Sequence, residues 1–155
     1  MRITVFVLLT ATLSGCSLFG VDGRQSDVNR AQQTWDNAAP SDYEFDLAIG
    51  CFCAYWQGPA TVVVRADTVH ALLDATTGEV LQDDFSNGPV LERLGGDVPT
   101  IDDLFTIVKD ALRESADDLD VDYDPTYGYP TSISIDYLED AVDDEVGYTV
   151  TNVRW

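Results

Sequence analysis

The segment TIDDLFTIVKDALRESADDLDVDYD, residues 100–124, holds both kinds of element from which the fold is predicted. Its first half predicts an amphipathic helix, because apolar residues recur at positions 101, 104, 105, 108 and 112, which is the helical spacing. Thr100 and Asp103 stand three residues apart, a variant of the capping box that marks where the helix begins. Asp102 and Asp103 also lie at the positive end of the helix dipole, which favours carboxylates.

The period changes from helical to alternating at residue 118. From there to residue 124 apolar residues alternate with aspartates, which predicts a half-buried strand with an acidic outer face. The same alternation occurs earlier in DYEFDLAIGCFC, residues 42–53, where the odd-numbered apolar residues from Tyr43 to Ile49 share one face. Helix and strand are therefore both present, and each strand has one face suited to a core.

The rest of the chain repeats this arrangement. A short helix is predicted from Ser26 to Asn37, and Pro40 ends that region. Further strands are predicted at 61–66, 69–75, 131–137 and 146–150, and a short helix at 90–94 within the long connection. The order is helix and three strands, then helix and three strands. We expect an α+β fold with an antiparallel sheet of about six strands and two main helices on one face.

The first 15 residues predict a lipoprotein signal peptide. A single Arg2 precedes an apolar stretch too short to span a bilayer, which ends in Leu13-Ser14-Gly15-Cys16. That run resembles the bacterial lipobox, and the resemblance implies that Cys16 is lipidated and anchors the chain to a bilayer. The predicted organisation is a signal peptide at 1–15, a lipidated tether at 16–25 and a single domain at 26–155. Ser17 follows the cysteine in place of Asp, which favours the outer over the inner membrane in a Gram-negative source.

Acidic residues dominate the charge of the chain. There are 28 Asp and Glu against 8 Lys and Arg, and loss of Arg2 with the signal peptide leaves 28 against 7, a net charge of −21. Such a surface repels nucleic acid and anionic lipid. It is either a salt-adapted surface or a cation-binding one. The spread of the acids along the whole chain favours salt adaptation.

Cys51 and Cys53 are the sharpest candidates for chemistry. Two residues apart on a strand, they share a face, and their Cα atoms lie about 6.5–7 Å apart if the strand is extended, at the limit for a disulfide. An exported chain meets oxidising conditions, which favours a bond. Three interpretations stay open, namely a structural disulfide, two idle thiols, and a redox or soft-metal site.

Two weaker candidates each favour a structural interpretation. His70 is the only histidine, and in its predicted strand Val69, Ala71 and Leu73 should face the core, which leaves His70 in solvent. The run of alternating aspartates from residue 118 could be compared with a calcium-binding EF-hand loop. An EF-hand starting at residue 118 would need Gly at its sixth position and Glu at its twelfth, but Tyr stands at both. No metal site is predicted, although loose cation binding with Asp143, Asp144 and Glu145 stays open.

Tyrosines concentrate around one predicted hairpin. They either form a recognition surface, as Tyr does at interfaces, or pack across the strands. The residues of this candidate recognition loop are Tyr123, Asp124, Tyr127, Gly128, Tyr129 and Pro130.

Several of these segments together resemble a known family. They are the lipobox, the strand ending in Cys51-Phe52-Cys53, the helix start at residues 100–105, and the run from Tyr123-Asp124-Pro125 through Gly128-Tyr129-Pro130 to Ile135-Asp136. This pattern resembles the bacterial lipoproteins that carry the domain of unknown function 6174. The resemblance covers most of residues 35–153 and implies location and fold, with no catalytic residues to transfer.

No motif in the sequence marks a catalytic site. A Ser-His-Asp order, a Gly-rich phosphate loop and zinc-ligand spacing are all missing from the sequence. We expect a non-enzymatic, membrane-anchored envelope lipoprotein that needs no cofactor and binds an envelope partner or ligand. The alternative is a redox or soft-metal-handling lipoprotein that uses Cys51 and Cys53, and a carboxylate-dependent hydrolase comes third.

Overall fold

The computed structural model describes residues 19–52, 56, 58–83, 88–138 and 144–155. None of the helices in these ranges is long and apolar enough to cross a bilayer. The elements are, in chain order, α1 Phe19–Ala38, β1 Tyr43–Cys51, β2 Ala60–Arg65, β3 Thr68–Asp74, α2 Val90–Arg93, α3 Ile101–Glu114, β4 Asp118–Tyr123, β5 Pro130–Asp136 and β6 Val146–Arg154.

The six strands form one antiparallel sheet in the order β3-β2-β1-β6-β5-β4. Two three-stranded meanders thus lie side by side and are joined by the long central strands β1 and β6. This confirms the predicted α+β class, with one six-stranded sheet and two sizeable helices. It also makes β3 and β4 the two edge strands of the sheet.

The core lies between one face of this sheet and the helices. Phe45 and Leu47 on β1 and Phe105 on α3 are fully buried, as are Val28 and Trp35 on α1. The capping box predicted for α3 is present, since the Thr100 hydroxyl accepts a hydrogen bond from the Asp103 N–H at 3.2 Å and the Thr100 N–H donates to the Asp103 carboxylate at 2.9 Å. Both halves of the chain contribute to a single core.

The first helix begins earlier than the sequence indicates. It starts at Phe19, so Ser26 lies inside α1 as an exposed residue and not at its N-terminus, and most of the segment predicted as a tether, 16–25, is helical. One contact joins these first turns to the sheet: the Arg24 guanidinium donates a long hydrogen bond to the Leu119 carbonyl of β4 at 3.5 Å.

The prediction that the odd-numbered residues of β3 face the core is wrong for the second half of the strand. Leu72, and not Leu73, is the fully buried residue. The register shifts between Val63 and Val64, so that Val64 pairs with Val69 whereas Val62 pairs with Leu72. A bulge of one residue moves the core face from odd to even positions.

Candidate binding cleft

A cleft of about 430 Å³ lies between α1, α3 and β4. That volume falls within the range of about 300–1,000 Å³ that is usual for ligand sites. Its floor is apolar and is supplied by Ala31, Val108, Leu112, Leu119 and Val121. The helical spacing on α3 and the alternation on β4 place these side chains on the same side of the sheet.

Charged residues form the rim of the cleft. Arg24, Asp27 and Arg30 come from α1, and Asp120 and Asp124 come from β4 and the loop after it. Both arginines already have partners: Arg24 donates to the Leu119 carbonyl, and Arg30 lies 3.2 Å from the Asp27 carboxylate in an exposed ion pair. With both cations engaged and an acidic majority, the rim favours cationic over anionic groups.

Tyr123 also lines the cleft. Its ring stacks on Phe105 with the centroids 6.2 Å apart and the planes nearly parallel. Burial, and to a smaller extent the negative charge of Asp27, raises the pKa of Tyr123 to about 12. The side chain therefore remains a neutral phenol at physiological pH and can both donate and accept hydrogen bonds.

The loop after β4 is held in shape by one carboxylate. Asp124 Oδ1 accepts hydrogen bonds from the N–H groups of Thr126 at 2.9 Å and Tyr127 at 2.7 Å, and its backbone carbonyl accepts from the Gly128 N–H at 2.9 Å. This is the local pattern by which Asp stabilises a turn. The loop next to the cleft is thus pre-organised, which limits the entropy lost on binding.

Gly128 brings this loop against α1. Its φ is +82°, and an added Cβ would collide with the Ala31 carbonyl and lie 2.9 Å from the Thr34 Cβ. Only glycine permits both the left-handed conformation and this close approach. Gly128 therefore determines the distance between the loop and α1, and with it the shape of the cleft.

Aromatic rings connect the loop to the core. Trp35 makes edge-to-face contacts with Tyr43, Tyr129 and Trp155, with ring centroids 5.3, 6.0 and 6.5 Å apart. Tyr127 contacts Trp155 in the same way at 4.9 Å. The exposed fractions are 38% for Tyr127 and 56% for Trp155, so these two rings form the surface end of the cluster.

The candidate recognition loop therefore divides into three parts. Tyr123, Asp124 and Gly128 line the cleft. Tyr127 lies at the surface, whereas Tyr129 is partly buried and Pro130 is buried. Some of the predicted residues thus pack as the structural interpretation expected, and others lie where a ligand could reach them.

The cysteines are only partly described. Cys51 is half-buried at the end of β1 and is disulfide-bonded, whereas Cys16 and Cys53 lie outside the described residues. The pairing of Cys51 with Cys53 and the lipidation of Cys16 therefore stay predictions. His70 is exposed on β3, at the bulge and away from the cleft.

The aspartates of β4 point to solvent. Asp118, Asp120 and Asp122 are exposed and alternate with the more buried Leu119 and Val121, and Asp120 also lies at the rim of the cleft. In the parts of the chain that the structure describes, no group of three or more His, Cys, Asp or Glu side chains is arranged to hold a metal ion. Asp143 of the proposed cation cluster lies outside the described residues.

The opposite face of β1 and β2 carries a second charged cluster, which is internally paired. Asp46 accepts hydrogen bonds from the Thr61 hydroxyl at 2.5 Å and the Asn152 amide at 2.7 Å. Glu44 pairs with Arg65 at 2.9 Å and with Arg154 at 3.1 Å. Its polar groups satisfy one another, so this cluster contributes to stability and leaves little for a ligand to bind.

Sequence patterns did not identify the α1 side of the cleft. Arg24, Asp27 and Arg30 lie at or near the predicted tether boundary, and Trp155 stands outside any predicted element. One signal was present: the chain has only 8 basic residues, and two of them fall within seven positions of each other on α1. That both arginines lie at the same cleft depends on tertiary packing, which the sequence pattern does not reveal.

Comparison with known proteins gave one match. The model of a family of unknown function, DUF6174, matches residues 27–155. No curated protein and no solved structure matches the chain.

Proposed function

This chain belongs to the DUF6174 family, whose function is unknown, and we propose that it is a non-enzymatic, membrane-anchored envelope lipoprotein that binds a partner at the cleft beside β4. The observation that carries this proposal is the composition of the cleft. An apolar floor, a charged rim and a pre-organised loop occur together in about 430 Å³. Concave apolar sites with a few converging polar groups are typical of binding sites.

The proposed anchor would place this cleft near a bilayer. Only residues 17 and 18 separate Cys16 from the start of α1 at Phe19. Three residue steps of fully extended chain span about 10 Å. With Cys16 lipidated, α1 would begin close to the membrane surface, and the partner would be a protein or ligand that is available there. We further propose the outer membrane, from Ser17, for a Gram-negative source.

Two substitutions test the anchor. Cys16→Ala should abolish lipid labelling and release the protein from the membrane fraction. Ser17→Asp should leave labelling intact and move the protein to the inner membrane of a Gram-negative host. Normal labelling and membrane fractionation of Cys16→Ala would show that Cys16 is not the lipidated residue and would contradict the proposed anchor.

A fragment screen tests the cleft. Amide chemical shifts of the purified protein, measured by NMR with a library of small neutral fragments, should respond at Ala31, Val121 and Tyr123. Val121→Trp fills the cleft and should abolish these responses. Thr149→Trp adds the same side chain to the exposed outer face of β6 and should leave them intact. Responses that persist in Val121→Trp would contradict the proposal.

A redox role is the second candidate, since Cys51 carries a disulfide at the end of β1. A partner dithiol would reduce that bond and would itself become a disulfide. A disulfide has no thiolate for a soft metal, so copper(I) binding would require prior reduction. Titration against glutathione decides: a reduction potential below about −300 mV would make the bond structural and remove this candidate.

A further inference from the structure

The two edges of the sheet differ in how their backbones are used. Outside β3, the segment at 79–82 pairs with the strand: the Leu81 N–H donates to the Leu72 carbonyl at 2.9 Å, and the Asp74 N–H donates to the Glu79 carbonyl at 2.8 Å. Outside β4, the described residues contain no further strand or bridge. An open edge offers main-chain donors and acceptors to an added strand.

The Arg24 side chain of α1 hydrogen-bonds to this edge strand, with its guanidinium 3.5 Å from the Leu119 carbonyl. That distance is longer than the usual 2.7–3.2 Å of an N–H···O bond, so the contact is weak. A backbone N–H from an incoming strand could replace it. Arg24 therefore acts as a displaceable cover for the edge.

The two faces of β4 would select the side chains of an added strand. Leu119 and Val121 line the floor of the cleft, whereas Asp118, Asp120 and Asp122 alternate with them along β4 and are exposed, with Asp120 at the rim of the cleft. Because successive side chains of a strand alternate between faces, a neighbouring strand would send every second residue into the cleft. The others would lie beside the aspartates.

Charge repulsion accompanies this arrangement. Asp118 stands directly opposite Asp136 of β5, and like charges in that position destabilise a sheet. Asp118, Asp120, Asp122 and Asp136 take part in none of the ion pairs found within the described residues. A basic neighbour would relieve this repulsion, whereas a second copy of β4 would add to it.

We propose that β4 binds an extended, basic segment of a partner protein as a seventh strand. The apolar side chains of that segment enter the cleft, and its alternating Lys or Arg side chains lie beside Asp118, Asp120 and Asp122. This inference rests on the proposed binding function and names the class of partner. The pre-formed loop at Asp124 and the net charge of −20 favour the same occupant through low entropy cost and electrostatic steering.

A designed peptide tests the proposal. The probe is a capped heptapeptide of alternating Lys and Val, and its control has the same composition with the four Lys followed by the three Val. Binding to the purified protein is measured by calorimetry at about 0.15 M salt. The alternating peptide should bind at least about tenfold more tightly, because only it can place charges on one face and apolar groups on the other. It should also slow amide exchange within residues 119–123.

Substitutions distinguish binding of the peptide at the β4 edge from non-specific attraction of a basic peptide to an acidic protein. Asp120→Asn with Asp122→Asn should weaken the alternating peptide by about tenfold, whereas the exposed control pair Glu92→Gln with Asp97→Asn should change its affinity less than about twofold. Arg24→Met uncovers the Leu119 carbonyl and should tighten binding. Equal binding of both peptides, equal loss in both variant pairs, or protection away from 119–123 would each overturn the inference.

The outcome also distinguishes this inference from the function on which it rests. If neither peptide binds while neutral fragments still occupy the cleft, the strand-addition inference is wrong and the binding function stands. If the fragments also fail to bind, the proposed function is wrong.

Discussion

The two halves of the sheet use the same alternation of acidic and apolar residues to different ends. On β1, the outward Asp46 is only 8% exposed, because Thr61 and Asn152 donate to it. On β4, the outward Asp118, Asp120 and Asp122 stay exposed. The carboxylates of β1 are satisfied by side chains of the neighbouring strands β2 and β6, whereas those of β4 are left to solvent or to a partner.

The chain has few basic side chains, so their positions show which carboxylates are paired in the folded protein. The chain has 8 basic residues for 28 acidic ones, so most carboxylates cannot be paired. Arg65 and Arg154 are both placed on Glu44, in the first half of the sheet. The β1–β2 half is thus built for stability, and the β4–β5 half is the one available for recognition.

The largest predicted effect concerns the contact that shapes the cleft. Gly128→Ala should lower the free energy of unfolding by about 3 kcal/mol, because alanine adds left-handed strain and collides with the Ala31 carbonyl. Gly58→Ala is the control, since its φ is +74° but nothing lies near its added Cβ, and it should cost only about 1–2 kcal/mol. Denaturant melts measure both. Equal losses would show that the loop is not seated on α1.

The next prediction compares the two kinds of aspartate directly. Asp46→Ala should cost about 2–3 kcal/mol, because it leaves the Thr61 hydroxyl and the Asn152 amide without their acceptor. Asp122→Ala should change stability by less than about 0.5 kcal/mol, as is usual at exposed positions. Chemical unfolding of both variants decides. Comparable costs at the two positions would remove the distinction between the halves.

A substitution in the turn between β2 and β3 should stabilise the protein by a smaller amount than the losses above. Ala66 and Asp67 both have positive φ, 48° and 59°, which is the geometry of a type I′ turn. Ala66→Gly should raise the free energy of unfolding by about 0.5–1 kcal/mol, because glycine adopts this conformation without steric cost. Thermal melts measure the change. A loss of stability would mean that the turn differs from the one described.

Added salt should raise the stability of the protein by a modest amount, comparable to that expected for Ala66→Gly. Monovalent salt should raise the melting temperature gradually, because screening relieves self-repulsion at a net charge of −20. Calcium chloride at matched ionic strength should do no more. A saturable rise at low calcium would instead indicate specific binding and would overturn the salt-adaptation prediction.

The smallest predicted effect is a pH dependence at the start of α3. Burial, and then the charges of Asp36, Asp67 and Asp103, raise the pKa of Asp102 above its usual value. A raised carboxyl pKa gives stability that is present at low pH and is lost as pH rises through the folded pKa. Asp102→Asn should therefore gain stability relative to the wild type as the pH rises from about 4, the ordinary range of an Asp carboxyl, by less than about 0.5 kcal/mol because solvent still reaches the Asp102 carboxylate. An unchanged or reversed difference in pH-dependent melts would contradict this assignment.

Much of the fold could be predicted because the apolar residues follow clear helical and alternating patterns along the chain. The apolar spacing after Thr100 and the alternation in β1 and β4 are local signals, and the structure places all three elements where these signals indicate. The face of β3 could not be predicted, since the bulge opposite Val63 and Val64 depends on the pairing of two strands.

The candidate site could be predicted only on one side. Tyr123, Asp124 and Gly128 carry local turn and strand signals, and they do line the cleft. Arg24 and Arg30 carry no such signal, because their position depends on how α1 crosses the sheet. The buried state of Asp46 was equally hidden, since Asn152, one of its partners, is 106 positions away in the chain.

Residue-resolved amide hydrogen exchange, with and without the alternating Lys-Val peptide, tests the central claim most directly. In the free protein, the amides at the centre of β1 and β2 should exchange most slowly, and the edge-facing amides within residues 119–123 much faster, because every second N–H of β4 faces away from β5 and has no strand partner among the described residues. The peptide should slow exchange within 119–123 and leave β1 and β2 unchanged. Slow exchange of the edge-facing amides within 119–123 in the free protein, or no change there at saturating peptide, would contradict the account.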